Sequence, residues 1–273
     1  MNRIAIASAL GAIYMSAGSC DGAALDRSSA ENGTIDLSAY ERVFTEDFDA
    51  VDVSGEYCNK RWFAHTPYFG DFGDAVFADP DGDFPFSTAD GILRISARKT
   101  DGEWESGILS SQNPCGTGYT QQFGYFEARM KMPGGPGVWP AFWMLSMDER
   151  GYRAEIDVLE FYGHEPNAIQ SSYKTHNIGP DHDPFGELRW QESTEKPPTD
   201  EFNLYGVSVE DDFMVFYLNR KEYWRIETPE EFKQPFYILV NLALGSGYSI
   251  DKTPNPSHLY VDYIHAYQKA PAD

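Results

Sequence analysis

The sequence predicts an all-β fold, a two-sheet antiparallel sandwich or jelly roll, and three observations support it. Apolar and polar residues alternate over many short segments, which is the period of a half-buried strand. Turn-forming residues separate these segments, and the only helix predicted is a single turn at 229–232. The chain has 273 residues and no internal repeat, which suits one β-rich domain.

The predicted strands follow one another along the chain from residue 41 onward. Ordered structure is expected to begin at 41–48. The chain up to residue 90 is rich in Gly, Asp, Pro and aromatic residues, which predicts long loops. Residues 203–226 are expected to form a meander, because short apolar segments alternate there with turn-forming residues. The other strands are predicted at 92–98, 123–132, 141–145, 155–161, 168–175, 236–244 and 259–268.

The first twenty residues are typical of an export signal. Arg3 gives a positive start, and the apolar run at 4–17 is too short and too rich in small residues for a transmembrane helix. Cys20 follows Ala-Gly-Ser as in a lipoprotein cleavage site, and ordinary cleavage near residues 23–24 is the alternative. We expect a signal peptide at 1–20 and an exported protein that is secreted, periplasmic or lipid-anchored at the cell envelope.

The small, polar residues at 21–40 are expected to form a flexible linker, and the folded domain is expected at 41–270. The net charge of −22 argues against nucleic acid and anionic membranes as partners, because both require basic surfaces. Membrane attachment is expected only if Cys20 is lipidated. No protein partner is evident from the sequence.

Two cysteines remain after the leader, Cys58 and Cys115. In an exported protein an even pair is typical of a disulfide. Two unpaired, buried thiols are the alternative, and the sequence leaves both open.

Three carboxylates lie within six residues of one predicted strand: Glu155, Asp157 and Glu160. Alternation puts the first two on one face, and a β-bulge near residues 158–159 would bring Glu160 to the same face. About four strand steps, roughly 13 Å between Cα atoms, then separate Glu155 from Glu160. Side chains leaning inward shorten this towards the roughly 5–5.5 Å of a retaining glycosidase, although the inverting spacing of roughly 6.5–9.5 Å stays open. The alternative is an acidic solvent face on an edge strand.

These residues resemble the bulged catalytic signature of glycoside hydrolase family 16. Matching blocks at 124–129, 137–145, 241–243 and 261–264 occur in the family's order over residues 41–268. The resemblance implies a concanavalin A-like β-jelly roll with an open substrate cleft on its concave face. The folded domain at 41–270 would then be the catalytic domain.

The same resemblance implies endo-hydrolysis of a β-linked polysaccharide with retention of configuration. Glu155 falls at the nucleophile position, Glu160 at the acid/base position and Asp157 at the assisting position between them. Independently of the family, clustered carboxylates must split their titrations, because like charges raise one another's pKa.

Several further residues are candidates for binding sugar. Trp139 and Trp143 share a face of one predicted strand, where the family stacks aromatic residues on sugar rings; core packing is the alternative. Trp62 is expected in a long loop that covers one end of the cleft, or packs within the loop. His176 is expected near the reacting sugar, with a bond to backbone as the alternative. Asn241 in an apolar strand needs a partner, either substrate or backbone.

No organic cofactor is required by this chemistry. Asp262 resembles a position that helps to bind a structural calcium ion in many relatives, and an exposed strand aspartate is the alternative. The expected substrate is a β-1,3-glucan, a mixed β-1,3/1,4-glucan or a bacterial exopolysaccharide, the last from a likeness of residues 62–77 to exopolysaccharide endoglycanases. The alternatives are a transglycosylase with the same site and a non-catalytic glycan-binding protein of the same fold.

Overall fold

The computed structural model describes residues 33–68, 70–147, 151–179, 182–193 and 196–270. The expected signal peptide, Cys20 and most of the expected linker lie outside the described residues. The described chain is built almost entirely of strands, which confirms the all-β prediction. In chain order the strands are β1 (Tyr40–Glu46), β2 (Val53–Ser54), β3 (Trp62–Phe63), β4 (Val76–Phe77), β5 (Phe86–Ala89), β6 (Ile92–Thr100), β7 (Glu103–Ser106), β8 (Ile108–Ser110), β9 (Gly124–Lys131), β10 (Val138–Ser146), β11 (Tyr152–Glu160), β12 (Ala168–Asn177), β13 (Gly186–Glu192), β14 (Asn203–Val209), β15 (Phe213–Leu218), β16 (Lys221–Glu227), β17 (Phe236–Leu244) and β18 (Ser257–Lys269).

The strands form two sheets that pack as a sandwich. Sheet A has the order β16-β15-β14-β9-β18-β6-β7-β4, with β1 paired to β18 and β5 paired to β6. Sheet B has the order β13-β12-β11-β10-β17-β8-β3-β2. The pairing is antiparallel as predicted, except for the short parallel pairs β2–β3 and β4–β7.

The main hydrophobic core lies between the two sheets. Alternate residues of each strand point into it, because the side chains of a strand alternate between its two faces. Representative buried residues from both sheets are Leu93, Ile95, Phe126, Ala128, Met130, Phe142, Met144, Ile156, Val158, Leu159, Val240 and Leu242. The opposite face of sheet B, called the cleft face below, carries a smaller cluster that includes Trp143, Tyr237 and Leu239.

Trp62 lies in this main core, so the expectation that it covers the cleft is wrong. The side chain is 1% exposed in β3, and its Nε1 donates to Glu46 Oε2 at 2.9 Å. Phe44 and Phe48 pack around its ring. A short strand in sheet B replaces the loop that the Gly- and Asp-rich sequence indicated.

The ordered chain begins before residue 41. Thr34 pairs with Lys221, a 3₁₀ turn spans Leu37–Ala39, and Ile35 packs with Tyr40 against Tyr125. The one predicted helical turn is found at Glu230–Phe232, and the turn at Leu37–Ala39 was not predicted. Among the described residues, no helix has the length and apolar composition that crossing a membrane demands.

Cys58 and Cys115 form a disulfide, with their Cα atoms 6.2 Å apart. This result decides against the alternative of two free thiols. The bond ties the segment between β2 and β3 to the turn after β8, where Asn113 Nδ2 also donates to the carbonyl of Cys58 at 3.3 Å. The Tyr68 hydroxyl donates to the Asn113 carbonyl at 3.1 Å. The disulfide therefore helps to hold the segment between β2 and β3 against the turn after β8.

Candidate active site

The predicted bulge is present in β11. Phe142 of β10 pairs with Leu159, but the next residue, Trp143, pairs with Asp157, so Val158 is the extra residue. Val158 and Leu159 both point into the main core, with 1% and 0% of their surfaces exposed. Both side chains are apolar, so their burial in the core favours a strand in which two consecutive residues point inward.

The bulge brings Glu155, Asp157 and Glu160 to the cleft face together. The register confirms this, since Glu155 pairs with Leu145, Asp157 with Trp143 and Glu160 with Ala141. Residues opposite one another in an antiparallel pair share a face. Leu145, Trp143 and Ala141 all belong to the apolar cluster on the cleft face. The acidic edge-strand alternative is therefore wrong, because β11 lies inside sheet B.

Lys174 of β12 lies between two of these carboxylates. Its Nζ is 2.7 Å from Glu155 Oε1 and 2.8 Å from Asp157 Oδ2. Ser172, also on β12, donates to the same Asp157 oxygen. Burial by itself would lower the pKa of Lys174, but the charges of Asp157, Glu155 and Glu160 raise that pKa well above its usual value. The lysine is therefore a permanent cation at this site.

Glu155 is held firmly in its charged form. Its side chain is 13% exposed, and burial alone would raise its pKa. The charge of Lys174 and the contact with His176 outweigh burial and lower the pKa of Glu155 to about 2. His176 Nε2 lies 2.8 Å from Glu155 Oε2, so each carboxylate oxygen has its own partner. The structure therefore places His176 beside Glu155 on the cleft face, bonded to a carboxylate rather than to backbone.

Asp157 has the opposite tendency. Its side chain is 5% exposed, and burial raises its pKa to about 7 even though Lys174 opposes the shift. The neighbouring charges of Glu155 and Glu160 raise it further. The titrations belong to the cluster as a whole. Near neutral pH the central carboxyl can therefore hold or release a proton between its two neighbours.

Glu160 has neutral hydrogen-bond donors as neighbours. Trp139 Nε1 donates to its Oε1 at 2.9 Å, and the Tyr162 hydroxyl donates to the same oxygen at 3.0 Å. The two rings lie nearly parallel, with centroids 6.2 Å apart. Trp139 is only partly buried and packs against the apolar cluster on the cleft face. Because both donors use Oε1, a proton on this carboxyl belongs on Oε2.

Trp143 and Asn241 line the interior of the site, so the expectation that they bind sugar is wrong. Trp143 is 5% exposed beneath the edge of Phe72, and its Nε1 donates to Asn241 Oδ1 at 2.8 Å. Asn241 is 0% exposed, and its Nδ2 reaches the Trp139 carbonyl at 3.5 Å. Phe72 belongs to a loop folded over this part of sheet B, and its ring packs against Trp143.

Asp262 does not fit a calcium site. Its carboxylate accepts a hydrogen bond from Arg129, whose guanidinium lies 4.7 Å from the centre of the Phe202 ring. A divalent cation here would meet a fixed positive charge. Among the described residues, no group of three or more His, Cys, Asp or Glu side chains could hold a metal.

Sequence reasoning did not identify Lys174, Ser172 or Tyr162. Ser172 and Lys174 share a face of β12 with His176, because the three are every second residue of the strand. This spacing was the one feature of the sequence that could have identified them. Their contacts with β11 depend on the register, in which Glu155 faces Lys174 and Asp157 faces Ser172. Tyr162 follows the end of β11 by two residues and carried no recognisable pattern.

Carboxyl groups gathered on one open face are the arrangement that sugar-cleaving hydrolases use for proton transfer and attack. Comparison with known proteins agrees. The model of the glycosyl hydrolases family 16 matches residues 85–265, and the chain belongs to this family.

Two curated relatives come from Rhizobium meliloti (strain 1021). Endo-1,3-1,4-beta-glycanase EglC is 29% identical over 256 residues, covering 85% of this chain and 53% of the relative. Endo-1,3-1,4-beta-glycanase ExsH is 27% identical over 257 residues, covering 86% and 53%. The chain thus spans about half the length of these relatives.

Solved structures show the same fold. The catalytic domain of an endo-1,3-beta-glucanase (laminarinase) from Thermotoga petrophila RKU-1 superposes with a TM-score of 0.67 at 20% identity. The match covers 84% of this chain and 98% of that domain. The sandwich prediction is confirmed by this likeness.

Proposed function

We propose that the protein is an endo-acting, retaining glycoside hydrolase that cleaves a β-linked polysaccharide. The observation that carries the proposal is the bulge at Val158, which gathers Glu155, Asp157 and Glu160 on the cleft face in different surroundings. Family 16 membership and the names of the relatives support the same reaction. Those names favour a β-1,3-glucan or a mixed β-1,3/1,4-glucan, and a bacterial exopolysaccharide is the third candidate.

In the proposed first step Glu155 attacks the anomeric carbon. An attacking carboxylate must be ionised, and Lys174 with His176 keeps the pKa of Glu155 at about 2. As the bond to the anomeric carbon forms, Glu155 loses its negative charge. Lys174 then keeps Asp157 Oδ2, at 2.8 Å, as a hydrogen-bond partner.

Glu160 is proposed to protonate the leaving oxygen from Oε2. Trp139 and Tyr162 occupy Oε1 and orient the carboxyl group, and they stabilise the charge that appears when the proton leaves. In the second step the same carboxylate takes a proton from water, which attacks the glycosyl-enzyme ester and frees Glu155. Asp157, with its pKa raised to about 7 by burial, buffers the charge of both neighbours during these steps.

The test of this proposal measures new reducing ends released from laminarin, barley mixed-linkage glucan and a bacterial exopolysaccharide. Proton NMR of the first product identifies the anomer, and the β anomer is expected from retention. Glu155→Gln and Glu160→Gln are each expected to abolish nearly all release, and Glu165→Gln, an exposed acid beyond the strand, serves as the matched control. Substantial activity in either cluster variant, or an α product, contradicts the assignment.

The same assay separates the two alternatives. A transglycosylase passes the glycosyl group to an added sugar, so it releases few reducing ends and produces longer chains. A glycan-binding protein binds the polysaccharide and releases nothing. The cluster of three carboxyl groups favours a hydrolase over a glycan-binding protein, because binding alone does not need carboxyl groups that divide acid and nucleophile roles.

We also propose that the protein is exported, on the strength of Arg3 and the apolar run at 4–17. Lipid attachment at Cys20 would retain it at the cell envelope, whereas ordinary cleavage would release it. Fractionation of cells that produce the wild type and Cys20→Ser distinguishes these outcomes. Retention of the full-length chain in the cytoplasm contradicts export.

A further inference from the structure

An aromatic surface lies next to Glu160 on the cleft side of sheet B. Tyr162 bonds to Glu160, and its ring centre lies 5.7 Å from that of Trp190 and 5.8 Å from that of Tyr248. Trp190 and Tyr248 expose 40% and 39% of their surfaces. These three residues are called the edge platform below.

The fold brings the edge platform together from three separate segments. In β13, Trp190 pairs with Gln170 of β12, which in turn pairs with Glu160, so all three lie on the cleft face. Tyr248 lies in the turn after β17, and its N–H donates to the Gly245 carbonyl at 3.1 Å. The ring of His164 stacks on Tyr248 at 4.4 Å. Positions so distant in sequence are held by backbone pairing and by ring stacking.

The edge platform is not explained by core packing. Large aromatic side chains favour burial, and neighbouring exposed rings usually mark a surface that binds something. The indole N–H and the phenol hydroxyl give the rings polar ends beside an apolar face. A pyranose ring has the complementary form, with an apolar C–H face and hydroxyl groups around its rim. A neutral sugar is therefore the ligand that this surface fits.

We propose that the edge platform binds the sugar unit on the leaving-group side of the bond that is cleaved. This inference rests on the proposed function, in which Glu160 is the residue that protonates the leaving oxygen. Tyr162 contacts Glu160 directly, whereas Glu155 is held by Lys174 and His176 at the other end of the strand. A sugar resting on Trp190 and Tyr248 thus lies on the acid's side and keeps the leaving oxygen near Oε2.

The test compares substrates with and without a sugar on the leaving side. Trp190→Ala and Tyr248→Ala are assayed on the glucan that the wild type cleaves and on β-laminaribiosyl fluoride, whose leaving group is fluoride. We expect kcat/KM on the glucan to fall about tenfold or more, because aromatic anchors contribute at least about 1.4 kcal/mol each. On the fluoride, kcat/KM should stay within about twofold of wild type.

Tyr57→Ala is the matched control, since Tyr57 is an exposed aromatic residue, 59% exposed, outside the edge platform. It should match the wild type on both substrates. Thermal unfolding and Trp190→Phe guard against misfolding, and the phenylalanine should recover most of the glucan activity. Unchanged glucan cleavage in both alanine variants overturns the inference. Equal losses on glucan and fluoride overturn it too, because the effect would not belong to the leaving side.

If the protein is not a hydrolase, the edge platform can still be tested as a sugar-binding site. If the wild type cleaves neither substrate, binding of laminarihexaose is measured by calorimetry for the wild type and Trp190→Ala. A loss of about tenfold or more in affinity then supports a sugar site at the edge platform without catalysis. Equal affinities, or no binding by the wild type, overturn the site.

Discussion

Replacing Lys174 with methionine removes the cation between Glu155 and Asp157 while keeping a side chain of similar length. In the wild type the pKa of Glu155 is about 2, against an ordinary 4.5, although burial opposes ionisation. At about 1.4 kcal/mol for each tenfold change in proton affinity, this difference is on the order of 3 kcal/mol. Without the cation, burial dominates, and we expect the pKa of Glu155 to rise above 4.5.

The assay is kcat/KM on the cleaved polysaccharide between about pH 4 and about pH 9, where the acid limb reports groups that must be ionised in the free enzyme. The wild type should keep its activity at the acid end of this range, because the pKa of Glu155 is about 2. Lys174→Met should lose activity progressively below about pH 5. Since His176 stays in place, part of the charge stabilisation should persist.

Two controls separate the charge from the side chain. Lys174→Arg keeps a cation and should retain an acid limb close to that of the wild type. Lys60→Met removes an exposed lysine, which pairs with Asp52 at 2.6 Å, and should change nothing in the profile. An acid limb in Lys174→Met that coincides with the wild type refutes the reasoning, as does an equal shift in Lys60→Met.

Three further predictions concern stability. Burial raises the pKa of Asp157 from 3.8 to about 7, so the protonated carboxyl contributes to folding stability below pH 3.8, and this contribution is lost as the pH rises through 7. The melting temperature of the wild type should therefore fall over this range, and that of Asp157→Asn should fall less. An equal fall in both proteins contradicts the prediction. Removing the disulfide by Cys58→Ser with Cys115→Ser opens a link across 57 residues and should cost about 4 kcal/mol in urea unfolding, whereas an unchanged midpoint argues against the bond. Trp143→Phe leaves the buried Oδ1 of Asn241 without its donor and should cost about 1–3 kcal/mol, with no loss excluding that role.

The bulge could be predicted from the sequence because it depends only on the spacing of neighbouring residues. Alternation along a strand fixes which residues share a face, and Glu160 is out of step with Glu155 and Asp157 by one residue. One inserted residue corrects this, and Val158 is that residue. The long alternating segments also identified most of the longer strands, because their periodicity is contained in a few consecutive residues.

Trp62 and Lys174 could not be placed in the same way. Trp62 lies in a strand of two residues, Trp62–Phe63, which is too short to show any period. Lys174 acts through Glu155, nineteen positions away, and that contact exists only in the register observed between β11 and β12. For Trp143 the face was inferred correctly from its spacing to Trp139, but the loop that covers it with Phe72 has no regular pattern.

The two ends of β11 differ in a way that divides the chemistry between them. Glu155 lies against Lys174 and His176, whereas the Oε1 of Glu160 accepts bonds from the neutral donors Trp139 and Tyr162. The positive charge of Lys174 lies next to Glu155 and stabilises a negative charge there, whereas Trp139 and Tyr162 are uncharged donors. The register between β11 and β12 holds this lysine opposite Glu155. The bulge thus sets the direction of Glu160, and the pairing with β12 sets the difference in charge on which the proposed roles of Glu155 and Glu160 rest.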